Sequence, residues 1–262
     1  MFEYHANRNL YFEIQIRNTE NDLIPFIEQV FPIRVGMRVL EIGCGEGGLL
    51  KVFTNRGCSG IGVELYENRL RDARTWLQEE VEQGKLSFIA KDIFQLSVAE
   101  VGGVFDLIVL KDVIEHVYNQ AKLMEHLKQF LKTEGVMFIG FPPWYMPFGG
   151  HQQMLKSKWL SKLPYLHLIP KFAYKWILQG MGEDWESMLE VKATGISIER
   201  FETICREKGY ALIHKTHFLI NPIYQYKFGW KPKKQFGLIQ KMLFIRNFFT
   251  STVYYLVQES KS

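Results

Sequence analysis

Apolar residues along the first half of the chain fall into two alternating patterns: short solid runs, and longer stretches with a single apolar face. The solid runs are Arg38 to Ile42, Gly60 to Glu64, Leu86 to Ala90, Phe105 to Leu110 and Gly135 to Phe141. Runs of this length, apolar without alternation, predict strands of a parallel sheet covered on both faces. Between them lie stretches with helical spacing. One spans Glu46 to Asn55, with Gly57 placed to cap its end; a second carries Tyr66, Leu70, Ala73, Leu77 and Val81 and stops at Gly84. A third carries Leu123, Met124, Leu127, Phe130 and Leu131. Two more, over 7–17 and 20–31, precede the first strand, the latter ending before Pro32. This βαβαβ order predicts an α/β protein that binds ligands at the carboxyl ends of its strands.

After the fifth run the pattern breaks at Pro142, Pro143 and Pro147. Residues 144–196 are aromatic and lysine-rich and are expected to form an inserted helical segment on the substrate side. Regularity returns at Ser197, placed to cap a helix with Ile198, Phe201, Ile204 and Cys205 inward and Gly209 at its end. Tyr210 to Ile220 and Ser251 to Val257 are expected strands that complete the sheet.

The chemistry concentrates at the end of the first strand, in Glu41-Ile42-Gly43-Cys44-Gly45-Glu46-Gly47-Gly48. Glycines here permit positive φ and close approach of backbone to a ligand at a helix N-terminus. The letters fit two patterns, G-x-G-x-x-G for a dinucleotide and acid-x-G-x-G-x-G. Glu41 separates them, since a carboxylate there repels a pyrophosphate and holds a cation. S-adenosylmethionine carries both a sulfonium and an ammonium.

From about Asp22 to Phe141, and more weakly from Ser197 onward, the chain resembles the class I S-adenosylmethionine-dependent methyltransferases. The matching motifs are Val39 to Gly47, Val63-Glu64, Lys91-Asp92-Ile93, and Phe105 to Ile108 running into Asp112-Val113-Ile114-Glu115-His116. The last resembles the ubiquinone-type O-methyltransferase branch. The resemblance implies a Rossmann-like, mostly parallel seven-stranded sheet with helices on both faces. It further implies one methyltransferase domain over 1–262, with a cofactor-binding core at 20–143, a substrate-side insertion at 144–196 and a completing part at 197–262. S-adenosylmethionine is the implied cofactor, held by Glu41, Gly43, Cys44, Gly45, Gly47, Glu64, Leu65, Asp92, Ile93, Lys111 and Asp112. Glu64, at the end of the second strand, can accept both ribose hydroxyls; Asp92 can accept from the adenine amino group while Ile93 packs on the ring; Glu41 can act through water on the methionine end. His116 and His151 follow strands four and five on the acceptor side, and neutral imidazole suits a base that takes a hydroxyl proton.

Composition narrows the partners. At 47% hydrophobic and 23% charged residues the chain reads as a globular protein. No run is apolar for the ~20 residues of a spanning helix, and Met1 to Glu20 lacks the pattern of a secretory signal, so the cytoplasm is the expected location. Cys44, Cys58 and Cys205 lack metal or disulfide spacing, and Asp112 with His116 lacks a third ligand, so no metal is expected. Charge is uneven: residues 1–134 carry a net −5 and residues 135–262 a net +9, with no acid between Glu134 and Glu183 or from Lys208 to Gln258. That is either solvated basic surface or a face for an anionic substrate or membrane. The expected partner is a small or lipid-like, anionic acceptor, with peripheral membrane contact through 144–196. No nucleic-acid-binding module is visible. An RNA methyltransferase and a non-catalytic, cofactor-binding scaffold are the alternatives.

Overall fold

The computed structural model describes residues 7–260; the opening residues weighed above against a secretory signal lie partly outside this range. Among the described residues eight strands form one sheet: β1 (Arg38–Ile42), β2 (Ser59–Glu64), β3 (Leu86–Ala90), β4 (Phe105–Lys111), β5 (Leu131–Phe141), β6 (Tyr210–Ile220), β7 (Lys233–Lys234) and β8 (Thr252–Glu259), in the order β3-β2-β1-β4-β5-β8-β6-β7. The first five strands pair in parallel, whereas β8 runs antiparallel between β5 and β6. The solid apolar runs are explained by two cores. In β4, Ile108 and Leu110 face one with Leu40, Phe141, Phe201 and Tyr255, and Leu107 and Val109 face the other with Val39, Leu50, Phe53 and Phe138. Side chains alternate across a strand, so a strand buried on both faces needs apolar residues at every position.

Principal helices are α1 (Arg8–Asn18), α2 (Gly48–Asn55), α3 (Glu67–Trp76), α4 (Gln120–Leu127), α5 (Lys171–Gly180), α6 (Trp185–Thr194), α7 (Ile198–Glu207) and α8 (Tyr224–Phe228). Ser197 caps α7 as expected, its Oγ accepting from the Arg200 amide at 3.1 Å.

The sheet departs from the expected seven strands by one. The extra strand, β7, is two exposed lysines that pair antiparallel with Phe218 and Ile220 at the outer edge of β6. Lysine is a common guard of a sheet edge, and two residues leave no periodicity to read. The helix expected over 66–81 is interrupted at Leu77, whose φ is −117°. The stretch 20–31 is a π turn, Thr19–Leu23, followed by a short helix, Ile24–Glu28.

Residues 144–196 fold as three 3-10 turns followed by α5 and α6, around a small core of Leu155, Leu160, Leu166, Tyr174, Leu178 and Met188. The two ends of this segment are tied together, with the Trp144 amide donating to the Ile196 carbonyl at 2.8 Å. Gln120 of α4, itself buried, donates to the Thr194 carbonyl at 2.6 Å. The segment is thereby fixed above the carboxyl ends of β4 and β5.

Candidate active site

Three glycines after β1 take left-handed conformations, Gly43 at φ 69°, Gly45 at φ 52° and Gly47 at φ 77°. Four amides of this turn bond within the protein. Gly43 and Cys44 donate to the Val63 carbonyl at 2.7 and 3.2 Å, and Gly47 donates to the Cys44 carbonyl at 2.9 Å. The Gly45 amide donates to Glu64 Oε2 at 3.1 Å. A pyrophosphate needs such donors free; at Gly45 one of the protein's own carboxylates takes that place. The turn therefore meets a ligand through its shape. A Cβ at Gly43 would lie 2.6 Å from Val113, and one at Gly47 would lie 2.9 Å from Leu77, but one at Gly45 would meet nothing within 4 Å.

Glu41 is 5% exposed and its Oε2 has no partner among the described residues. Burial pushes its carboxyl well above the usual range, against the pull of the Lys111 ammonium. Lys111, at the end of β4, pairs with Asp112 at 2.7 Å. Burial works against the charge on that lysine, but Asp112, through its charge and hydrogen bond, together with Tyr254 and Tyr11 more than offsets it and raises its pKa. Asp112 has φ 57°, and its amide donates to the Gly140 carbonyl at 2.7 Å, which bends the chain away from the sheet. Although desolvation opposes it, the Lys111, Lys227 and His116 charges hold the Asp112 carboxyl below its ordinary value. The result is a buried carboxyl with an unused acceptor oxygen, beside a strand end whose own charges are paired.

Glu64 ends β2 and is buried. Besides the Gly45 amide it accepts from the Leu65 amide at 2.8 Å, and Arg69 lies 3.6 Å away. Oε1 also accepts from the Tyr66 amide at 3.4 Å, so the further lone pair for a hydroxyl is on Oε2. Asp92 spends one oxygen capping the turn after β3, accepting from the Phe94 amide at 2.9 Å. Ile93 is buried in the core beside Val63, Cys44 is buried, and Leu65 is exposed.

A cavity of about 510 Å³ opens over the ends of β4 and β5. Asp112 lines it together with Asn68 and Arg69 on one side and Trp144 on the other. His116 and His151 also line it, with their Nε2 atoms 3.1 Å apart. At that distance one imidazole donates and the other accepts, so the pair shares a proton. Burial lowers the His116 pKa, the Asp112 charge opposing. Glu115, buried against this pair, has its carboxyl raised by burial and by Asp112. The remaining predicted residues, Glu41, Gly43, Cys44, Gly45, Gly47, Glu64, Leu65, Asp92, Ile93 and Lys111, lie behind or beside this cavity rather than on its wall.

Among the wall residues that sequence reasoning missed are Arg8, Tyr11 and Lys227. Arg8 and Tyr11 come from α1, which lies across the glycine turn: Arg8 pairs with Glu46 and Asp72, each at 2.8 Å. Lys227 comes from α8, its ammonium 5.2 Å from the centre of the Tyr11 ring. Burial and the Lys111 charge lower its pKa to about 8, Asp112 opposing. Among the described residues, no three His, Cys, Asp or Glu side chains gather as metal ligands, and no helix is long and apolar enough to cross a membrane.

Comparison with known proteins addresses the family and the fold. A family model described as a methyltransferase domain matches residues 15–215. The ubiquinone biosynthesis O-methyltransferase of Bartonella bacilliformis is 27% identical over 132 residues, which is 48% of this chain and 51% of that protein. Its counterpart from Pseudomonas aeruginosa is 31% identical over 108 residues, 40% of this chain and 44% of that protein. The chain thus spans about half the length of the curated relatives it matches. Among solved structures, phosphoethanolamine N-methyltransferase 2 of Haemonchus contortus, in complex with S-adenosyl-L-methionine, aligns with a TM-score of 0.58 at 15% identity, covering 92% of this chain and 53% of that one. Magnesium protoporphyrin IX methyltransferase from Synechocystis aligns with a TM-score of 0.52 at 15% identity, covering 94% and 84%. These structural likenesses establish the fold.

Proposed function

Because the chain belongs to the methyltransferase-domain family, we propose that it transfers the methyl group of S-adenosylmethionine to an oxygen of a small or lipid-like, anionic acceptor. The observation that carries this reading is the bare, buried carboxyl oxygen of Glu41 behind a glycine turn in which the Gly45 amide is already held by Glu64. Such a site favours a cation over a phosphate. When bound, the cofactor supplies an activated methyl on a sulfonium.

The chain's own residues supply position and charge. Glu41 and the open face of Gly45 take the methionine end, Glu64 takes the ribose, and Asp92 with Ile93 takes the base. Displacement at a methyl carbon needs alignment above all, and proximity can contribute roughly 7 to 11 kcal/mol to such a step. The acceptor lies in the 510 Å³ cavity, where the imidazole pair receives the hydroxyl proton and the nearby Asp112 charge stabilises the imidazolium. Lys227 and the basic second half of the chain favour an anionic acceptor. Exposed Trp159, Phe172 and Trp176, with Lys158, Lys162 and Lys171 at the surface of the same segment, favour a lipid-like one and peripheral membrane contact through 144–196.

Incubation with isotopically methyl-labelled S-adenosylmethionine and a lipid-soluble cell extract, followed by mass spectrometry, tests the proposal. A labelled methyl ether is the expected product; cofactor binding without any labelled product would identify a scaffold. Glu64→Ala should weaken cofactor binding by about 1.5 to 3 kcal/mol, the worth of charge-assisted hydrogen bonds, as read by calorimetry. Equal affinity in wild type and variant would remove Glu64 from the site.

A further inference from the structure

The connection between β6 and β8 contains an apolar tip that the fold holds out into solvent. Its inner side is pinned to α7. Arg246 is 4% exposed and bonds Glu199 and Glu202, each at 2.8 Å. Asn247 is fully buried, donating to Glu199 Oε2 at 2.6 Å and accepting from the Ile198 amide at 2.9 Å. Gln235 is buried and donates to the Phe249 carbonyl, closing the base of the loop. At the tip Phe244 has φ 61°, a conformation that costs a side-chain-bearing residue about 1 to 2 kcal/mol, and its amide is held by Glu199 Oε1 at 3.0 Å.

This internal polar framework presents apolar side chains outward. Leu238 is 75% exposed, Leu243 65%, Phe244 64% and Phe236 56%. Lys233, Lys234 and Lys241 surround them, all exposed, and no acid occurs from Lys208 to Gln258. Contiguous exposed apolar surface with a polar rim marks an interaction site. The rim identifies the partner. A second copy docked through the same face would set lysine against lysine, since a two-fold contact is self-complementary only if its charges are. A bilayer bearing anionic headgroups offers an apolar layer for the tip and negative charge for the rim.

We propose that residues 233–249 form a docking loop for the surface of a membrane containing anionic phospholipid. The loop adjoins the 144–196 segment, with the Tyr165 hydroxyl donating to the Phe248 carbonyl at 3.1 Å and the Tyr145 and Phe248 rings 5.4 Å apart. It leads into Ser251, on the wall of the cavity. Docking brings the cavity to the bilayer, which deepens the reading of a lipid-like acceptor; the binding itself requires no methyl transfer.

Flotation of the full chain with vesicles of phosphatidylcholine alone, and of phosphatidylcholine mixed with phosphatidylglycerol, tests this. The wild type should float with the mixed vesicles only, and less so as salt is raised. Leu238→Ser with Leu243→Ser, and separately Lys233→Gln, Lys234→Gln and Lys241→Gln together, should each reduce partitioning by about tenfold or more, with the melting temperature unchanged. The lysine variant alters only exposed charge, so it decides the matter if the serine variant melts early. Wild-type partitioning in the lysine variant, or failure of the wild type to float, overturns the proposal. Concentration-dependent dimerisation in light scattering, lost in the serine variant, overturns it in favour of a second copy. Retained binding of S-adenosylhomocysteine in a protein that does not float leaves the reading of the cavity standing.

Discussion

Gly45→Val is expected to give a folded protein that no longer binds S-adenosylmethionine. The strain of φ 52° on a branched residue costs the fold only a few kcal/mol, and the new Cβ meets no atom within 4 Å. Its branches instead occupy the open face of the turn, where a close-packed ligand contact would be overfilled by ~3 kcal/mol, roughly a hundredfold in affinity. Gly62→Val provides the contrast. There a Cβ lies 2.6 Å from the Cys44 sulfur and 2.7 Å from the Phe88 ring, inside the core, and the expected result is loss of the fold itself. Thermal melting distinguishes the two, and calorimetry reads the binding. A Gly45→Val protein with wild-type affinity would place the cofactor elsewhere.

Replacing His116 and His151 together by glutamine should lower the acceptor-dependent rate by ~10² to 10⁴, the usual contribution of a general base, with cofactor affinity unchanged. Either single variant leaves one imidazole in reach of the acceptor and should cost less than the double. The pH profile carries the sign. Burial lowers the His116 pKa from its ordinary value, which favours the neutral, proton-accepting imidazole, and kcat/KM should fall as pH falls through that lowered pKa. A double variant with unaltered kcat, or a rate that rises on acidification, would remove the pair from proton transfer.

Much of this was legible because strands buried on both faces write themselves as solid apolar runs. Four of the five strand ends that set the site, those of β1, β2, β3 and β5, are where the runs end; β4 extends one residue further, to Lys111. Glu41, Glu64 and Asp92 follow from those ends and the glycines between them. Less legible was what the turn does with its amides: spacing shows that Gly43 and Gly45 allow close approach, but only the fold shows Val63 and Glu64 accepting their N–H groups. Arg8, Tyr11 and Lys227 were invisible because topology brings them to the cavity, from α1 and from the connection between β6 and β8. Some of the basic charge in 144–196 also proves to be internal. Lys175 lies 4.0 Å from the centre of the Trp185 ring, and Lys192 donates to the His167 and Ile169 carbonyls. A count of lysines distinguishes neither from the exposed Lys158, Lys162 and Lys171.

Calorimetric titration of the full chain with S-adenosylhomocysteine, alongside NAD, tests the central claim most directly. Saturable one-to-one binding of S-adenosylhomocysteine, no heat with NAD, and loss of the signal in Gly45→Val is the predicted result. Binding of NAD with none of S-adenosylhomocysteine would contradict it.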